Sequence, residues 1–249
     1  MRPNSFLGWV ACCLIALIFI GCTQAHTNKS SSMDRLVNAK ANKKDKLERL
    51  LQKKGLSVQG LELFLRAFKK EEVLEVWVKE AQQASFQLLM TYAFCKNSGG
   101  LGPKRKEGDR QIPEGFYRID RFNAKSKFHL SLGLDYPNAS DKVRSHRQQP
   151  GSDIFIHGGC LTVGCIPITD DKIEELFVLA DMVRTTGRSP IRVHIFPSRL
   201  EKTQLAALVH KHPEHADFWQ ELQKGYLHFE KFKRIPRIDI DDTGAYLIQ

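Results

Sequence analysis

The chain has 249 residues, of which 42 % are hydrophobic and 27 % charged, with a formal net charge of +10. That apolar content supports one medium-sized core with appendages and excludes a chain too polar to fold. The basic balance does not by itself make a nucleic-acid module, because the Lys and Arg residues are not interleaved with aromatic side chains.

Arg2 is followed by an apolar run from Leu14 to Ile20, too short for a membrane span, that ends in Phe19-Ile20-Gly21-Cys22. This ending resembles a bacterial lipobox, with residues 1–21 as the signal peptide and Cys22 as the lipidated residue; the alternative is an uncleaved N-terminal anchor. Residues 23–54 carry nine Lys or Arg against Asp34, Asp45 and Glu48, a net of +6. Leu47, Leu50 and Leu51 fall at helical spacing within residues 43–55. Residues 22–59 are therefore expected to form a flexible basic tether ending in a short helix stopped by Gly55. Beside a lipid anchor such a tether favours anionic headgroups or wall polymer, against the alternative of a solvated spacer.

Three apolar, β-branched and aromatic runs follow: LELFLRAF from Leu61, VLEVWV from Val73 and ASFQLLMTY from Ala84. Their short polar connections predict an antiparallel meander. Residues 97–109, NSGGLGPKRKEGD, read as a loop. No Gly-Lys-Ser/Thr follows, so it is not a phosphate cradle. On a mobile rim, Lys104, Arg105 and Lys106 could meet acidic substrate; as a plain loop they are only solvated. Residues 112–120 and 127–134 predict two more strands. Asn138-Ala139-Ser140 spells a glycosylation sequon, which carries no weight beside a bacterial lipobox. Arg144 and Arg147 are candidates for gripping a carboxylate, the alternative being an exposed basic turn.

The densest chemistry lies between Asp153 and Thr169, DIFIHGGCLTVGCIPIT. A short apolar strand, Ile154 to Ile156, empties into a loop holding His157, Gly158, Gly159, Cys160, Thr162, Gly164 and Cys165. Cys165 needs a base in hydrogen-bond reach to act as a nucleophile, and His157 on the same folded loop can supply it. The glycines allow close approach of substrate. Gly164 and Cys165 can present adjacent N–H groups to an oxyanion. A second reading of these side chains is a zinc site of His157, Cys160 and Cys165, which lacks a fourth ligand.

Thr169 then predicts a helix N-cap, with Ile173, Leu176, Phe177, Ala180 and Val183 as an apolar stripe ending before Gly187. Residues 191–196 predict a strand whose His194 is a packed side chain rather than a site residue. Residues 198–210 and 215–224 predict helices broken by Pro213. Residues 226–249 carry strand-like runs and a turn at Asp241 to Gly244.

The His157-Gly158, Thr162 and Gly164-Cys165 spacing resembles the active-site motif of the L,D-transpeptidase (YkuD) family, in its YafK-like branch. The likeness extends upstream through IPEGFYRI (112–119) and FHLSLGLDYPNASD (128–141). It implies a mostly β domain with flanking helices, α+β and sandwich-like, over residues 60–198, with a small α/β appendage at 199–249. It implies Cys165 as nucleophile, His157 as general base, Thr162 as orienting residue and Gly164 as oxyanion donor. Gly158, Gly159, Arg144 and Arg147 would face substrate. The substrate would be a peptidoglycan stem peptide, with no cofactor, no metal and no nucleic acid. The location would be a bacterial cell envelope, lipid-anchored and facing the periplasm. Many members carry His before the Gly-Cys and Arg two residues after it, where this chain has Val163 and Pro167, so transfer and hydrolysis both stay open, as does an inactive wall-binding module. Loss of residues 1–21 leaves Cys95, Cys160 and Cys165 beside the lipidated Cys22. An enzyme of this type needs Cys165 reduced, which favours a Cys95–Cys160 bridge over Cys160–Cys165 without deciding between them.

Overall fold

A computed structural model describes residues 32–185 and 189–249. The expected signal peptide, the lipidation site Cys22 and the helix-stopping Gly187 lie outside those residues. In chain order the described residues form α1 (Ser32–Lys53), β1 (Leu61–Phe68), β2 (Val73–Glu80), β3 (Gln87–Ala93), β4 (Gly115–Asn123), β5 (Ser131–Leu134), α2 (Ala139–Arg144) and β6 (Phe155–His157). Then come β7 (Ile166–Pro167), α3 (Asp170–Thr185), β8 (Arg192–Phe196), α4 (Lys202–Lys211), α5 (Ala216–Phe232), β9 (Ile238–Ile240) and β10 (Tyr246–Ile248).

The leucine spacing places the start of α1 at Lys43, but the helix begins at Ser32. Charge, more than an apolar stripe, holds its early turns. Lys40 pairs with Asp181 at 2.7 Å, Lys43 with Asp171 and Lys46 with Glu175, all acids of α3. Ala39, Leu47 and Leu51 are buried against the same core. From Ser32 onward the expected flexible tether is therefore a docked helix, and Gly55, at φ +69°, follows its end.

Eight strands make one mixed sheet in the order β3-β2-β1-β8-β4-β5-β6-β7. The first three are the expected antiparallel meander. β8 lies parallel to β1 and antiparallel to β4. β4 serves two halves: Gly115 to Arg118 pair with β8, and Ile119 to Asn123 pair with β5 across a register shift between Ile119 and Arg121. Such an irregularity bends and twists a strand, so the sheet curls at β4 and hands the chain to the β5-β6-β7 half that carries the Cys loop. The fold is α+β.

Side-chain alternation along β1 divides the core between two faces. Leu63, Leu65 and Ala67 join Leu176, Leu179 and Ala180 of α3. Phe68 joins Phe196 and Trp219, Leu222 and Tyr226 of α5 on the other face, where Phe64 meets Phe229. The residues expected as a C-terminal appendage thus share this second core, and the described residues form one compact unit. α5 runs on to Phe232, beyond the Lys224 expected from sequence. Phe218, Trp219, Leu222, Tyr226 and Phe229 keep a helical period and are all buried, so the strand reading of Tyr226 gives way.

Two strands start later than their apolar residues suggest. Residues 112–114 stay out of β4 because the buried Lys69 ammonium binds the Ile112 carbonyl at 2.9 Å and the Glu114 carboxylate at 2.9 Å. Residues 127–130 stay out of β5 because they turn into the site. α2 went unread in the sequence: Asn138 accepts the Asp141 N–H at 2.9 Å, and Asp141 closes a capping box. The Asn138 amide also donates to the Phe116 carbonyl and the Tyr246 hydroxyl, a structural use of the sequon asparagine.

Candidate active site

β6 and β7 lie parallel, with Ile156 opposite Ile166 and His157 opposite Pro167. The loop between them leaves and rejoins the same sheet edge, which returns Cys165 to the neighbourhood of His157. Both line one cavity of about 290 Å³, walled also by Ser126, Lys127, Phe128, Ser131, Asp153 and Phe155. A hollow of about 510 Å³ beside Ile119 and Pro190 is larger, but neither a Cys nor a His lines it.

His157 is 1 % exposed, and its Nδ1 lies 2.5 Å from the Gly158 carbonyl oxygen. A carbonyl only accepts, so Nδ1 carries the proton and Nε2 keeps its lone pair. Burial pushes the imidazole below its ordinary pKa, while the Gly158 carbonyl works weakly against that. The Phe128 ring packs against it, with centroids 4.7 Å apart. Burial likewise pushes the Cys165 thiol up, and the thiol is 3.6 Å from the Asp153 carbonyl, to which it donates. Burial thus favours the neutral thiol and the neutral imidazole on the walls of one cavity, groups between which a proton could pass.

Thr162 sits at the base of the loop. Its Oγ1 accepts the Cys165 N–H at 2.9 Å and donates to the Cys165 carbonyl at 2.8 Å. This corrects one expectation: the Cys165 N–H is already engaged and does not stand open for an oxyanion. The Gly164 N–H has no hydrogen-bond partner among the described residues and remains the candidate donor. Gly164 takes φ +101°, and a Cβ there would meet the Gln111 carbonyl oxygen at 2.9 Å, so both conformation and space call for glycine. The N–H of Gly158 donates to Phe128 O at 3.1 Å and that of Gly159 to Asp170 Oδ1 at 2.7 Å. These two glycines therefore shape the loop, with their donors committed.

Several expected substrate contacts lie elsewhere. Arg144 binds Glu221 at 2.8 Å and stacks over Phe218, which ties α2 to α5 instead of entering the cavity. Arg147 is exposed and does not line it. The expected rim loop is pinned: Lys104 binds Asp109 at 2.7 Å, and Asp109 also accepts the N–H groups of Arg105, Lys106 and Gln111. Arg105 reaches Asp141 at 3.3 Å. His194, kept out of the site by its apolar strand, is 2 % exposed and wedged between Phe64 and Phe116, each 4.6 Å away. Phe128, Phe155 and Asp153 are not candidates in the sequence reading: Phe128 and Phe155 lie in predicted strands, where an aromatic is an ordinary core residue, and Asp153 precedes one.

Cys95 and Cys160 form a disulfide, with Cys165 as the free thiol among the described residues. The open choice between bridges is thereby resolved, and the zinc reading loses Cys160 as a ligand. Cys95 follows β3, and its N–H donates to Pro167 O at 3.0 Å, so the bridge and this bond fasten both ends of the Cys loop to the meander.

A free Cys that follows a glycine and a buried His thus share one cavity at a curled sheet edge. Residues 72–195 match the family model described as the YkuD L,D-transpeptidase catalytic domain. A curated protein of Escherichia coli strain K12, provisionally named L,D-transpeptidase YafK, is 33 % identical over 193 residues, covering 77 % of this chain and 75 % of that one. Its counterpart in E. coli O157:H7 matches equally. The chain belongs to the YkuD L,D-transpeptidase family. Two solved structures are more distantly similar: the helical cell shape determining protein Pgp2 of Campylobacter jejuni (18 % identity, 73 % of each chain, TM-score 0.45) and Bd1075 of Bdellovibrio bacteriovorus (20 % identity, 66 % of this chain and 55 % of that one, TM-score 0.40). Those likenesses are too slight to carry function.

Proposed function

We propose that the chain is a cysteine-dependent L,D-transpeptidase acting on peptidoglycan stem peptides. The observation that supports it is the shared cavity of Cys165 and His157, with the Nδ1 of His157 fixed by the Gly158 carbonyl so that Nε2 is the basic atom. Nε2 takes the Sγ proton as sulfur attacks the carbonyl carbon of the donor amide. The Gly164 N–H faces the developing oxyanion. On collapse the C–N bond breaks, the imidazolium returns its proton to the leaving amine, and a thioester remains. An acceptor amine, deprotonated by His157, then attacks the thioester, which forms the cross-link and releases the thiol.

Hydrolysis is the second reading. Val163 is 66 % exposed where many members carry His, and Pro167 is buried in β7 where many carry Arg. Neither can hold the acceptor by charge, so water competes for the thioester. The test supplies a stem tetrapeptide with and without excess acceptor stem. Dimer in preference to hydrolysed stem marks a transpeptidase, hydrolysed stem at every acceptor concentration marks a peptidase, and neither product overturns both. The same proposal places the chain in a bacterial envelope, facing the periplasm on a lipid attached at Cys22. Failure of a Cys22→Ala variant to lose radiolabelled fatty acid would refute the anchor.

A further inference from the structure

The loop from Ser126 to His129 supplies the apolar wall of the cavity through Phe128, and its backbone reaches the base directly: Phe128 O accepts the N–H of Gly158, beside His157, at 3.1 Å. Short-range bonds within the loop are few. Ser126 Oγ accepts the Phe128 N–H at 3.0 Å, and His129 sits at φ +69°, a left-handed conformation that a side chain other than glycine rarely holds without outside support. That support comes from two helices. Glu174 of α3 takes His129 Nε2 at 2.8 Å. From α1, Arg35 Nη1 donates to the carbonyls of both Ser126, at 3.0 Å, and His129, at 2.7 Å, bracketing Phe128 from either side. Bonds from a charged donor are the strong ones, and one guanidinium nitrogen holding two carbonyls fixes their separation.

We propose that Arg35 is a positioning residue of the active site, acting through Phe128: by clamping the Ser126 and His129 carbonyls it sets the Phe128 ring against His157 and so completes the substrate wall. The proposal rests on the transpeptidase reading for its substrate but not for its geometry. Arg35 touches neither Cys165 nor substrate. The first turns of α1, far from the Cys loop in sequence, thereby become part of the site.

The experiment is a double-variant cycle on the folded chain with Arg35→Ala, Phe128→Ala and the pair. Turnover of a stem tetrapeptide should show KM raised about tenfold or more by Arg35→Ala, with kcat less affected. Arg35→Ala should add little in the Phe128→Ala background, since both act on one wall. Arg35→Lys, which keeps a cationic donor, should recover part of the loss. Lys40→Ala, which breaks the Asp181 pair of the same helix but touches no site loop, should leave KM unchanged. Additive effects of the pair, or an equal loss from Lys40→Ala, would overturn the proposal and reduce Arg35 to a general support of α1. Alkylation of Cys165 by iodoacetamide reads the same cycle without any peptide. If the wild type turns over no tetrapeptide, the functional reading fails while the coupling is still scored on alkylation.

Discussion

Thr162 and Cys165 are joined twice: the threonine hydroxyl accepts the cysteine N–H at 2.9 Å and donates to the cysteine carbonyl at 2.8 Å. The side chain three residues back thus fixes the peptide plane on both sides of Cys165. Thr162→Val removes both bonds and should lower kcat about tenfold to a hundredfold, the usual scale for a misplaced reacting atom, with the fold retained by circular dichroism. An unchanged or raised kcat would mean that the Cys165 N–H serves better free, as an oxyanion donor that Thr162 withholds.

His157 should set a low acid limb. Its ordinary pKa is 6.5 and burial pushes it down, so the base stays unprotonated at pH values where a free imidazole would be charged. The profile of kcat/KM should therefore hold its plateau below pH 6.5, and His157→Gln should cost about a hundredfold or more. A limb above pH 6.5, or a larger loss from His194→Gln, would point to another base.

His194 predicts a stability effect rather than a catalytic one. Its folded pKa lies well below the ordinary 6.5, chiefly because it is buried, with Arg66 and Arg192 adding repulsion. A group depressed in this way contributes stability above its unfolded pKa that is lost as pH falls below about 6.5. Asp141 acts oppositely. Burial pushes its carboxyl up to about 6, so its contribution is present at low pH and lost as pH rises through that value. Comparing variants isolates the histidine: the melting temperature of His194→Gln should fall less between pH 7.5 and pH 5 than that of wild type. An identical pH dependence in the two proteins would remove His194 from the balance.

The Cys95–Cys160 bridge closes a separation of 65 residues and holds the Cys loop to β3. Replacing both cysteines by serine should cost about 2–4 kcal/mol of stability and reduce turnover, read by denaturant unfolding and by tetrapeptide assay. Full turnover at unchanged stability would show that the loop needs no fastening.

Legibility followed the range of the interactions. The meander and the core face of α3 were readable because their periods of 2 and 3.6 are written locally, in LELFLRAF and in Ile173, Leu176, Phe177 and Ala180. Cys165 and His157 stand out as candidates because strand, glycines, thiol and imidazole sit in one short stretch, and the structure puts both on one cavity. What escaped was carried by partners distant in sequence. The early part of α1 is held by partners far along the chain: the Ser126 and His129 carbonyls for Arg35, and Asp181 for Lys40. Arg105 and Arg144 are unpaired in the sequence reading because Asp141 and Glu221, their partners, lie 36 and 77 residues away. Phe128 falls in a predicted strand, and only the fold sets it against His157.

The central claim is that Cys165 carries the acyl group. The most direct measurement is intact-protein mass spectrometry after incubation with a carbapenem, an acylating agent to which the family is generally susceptible, on wild type and on Cys165→Ala. The account predicts one covalent adduct on the wild type, mapped to the peptide containing Cys165, and none on a folded Cys165→Ala. An adduct of equal mass retained by Cys165→Ala would contradict it.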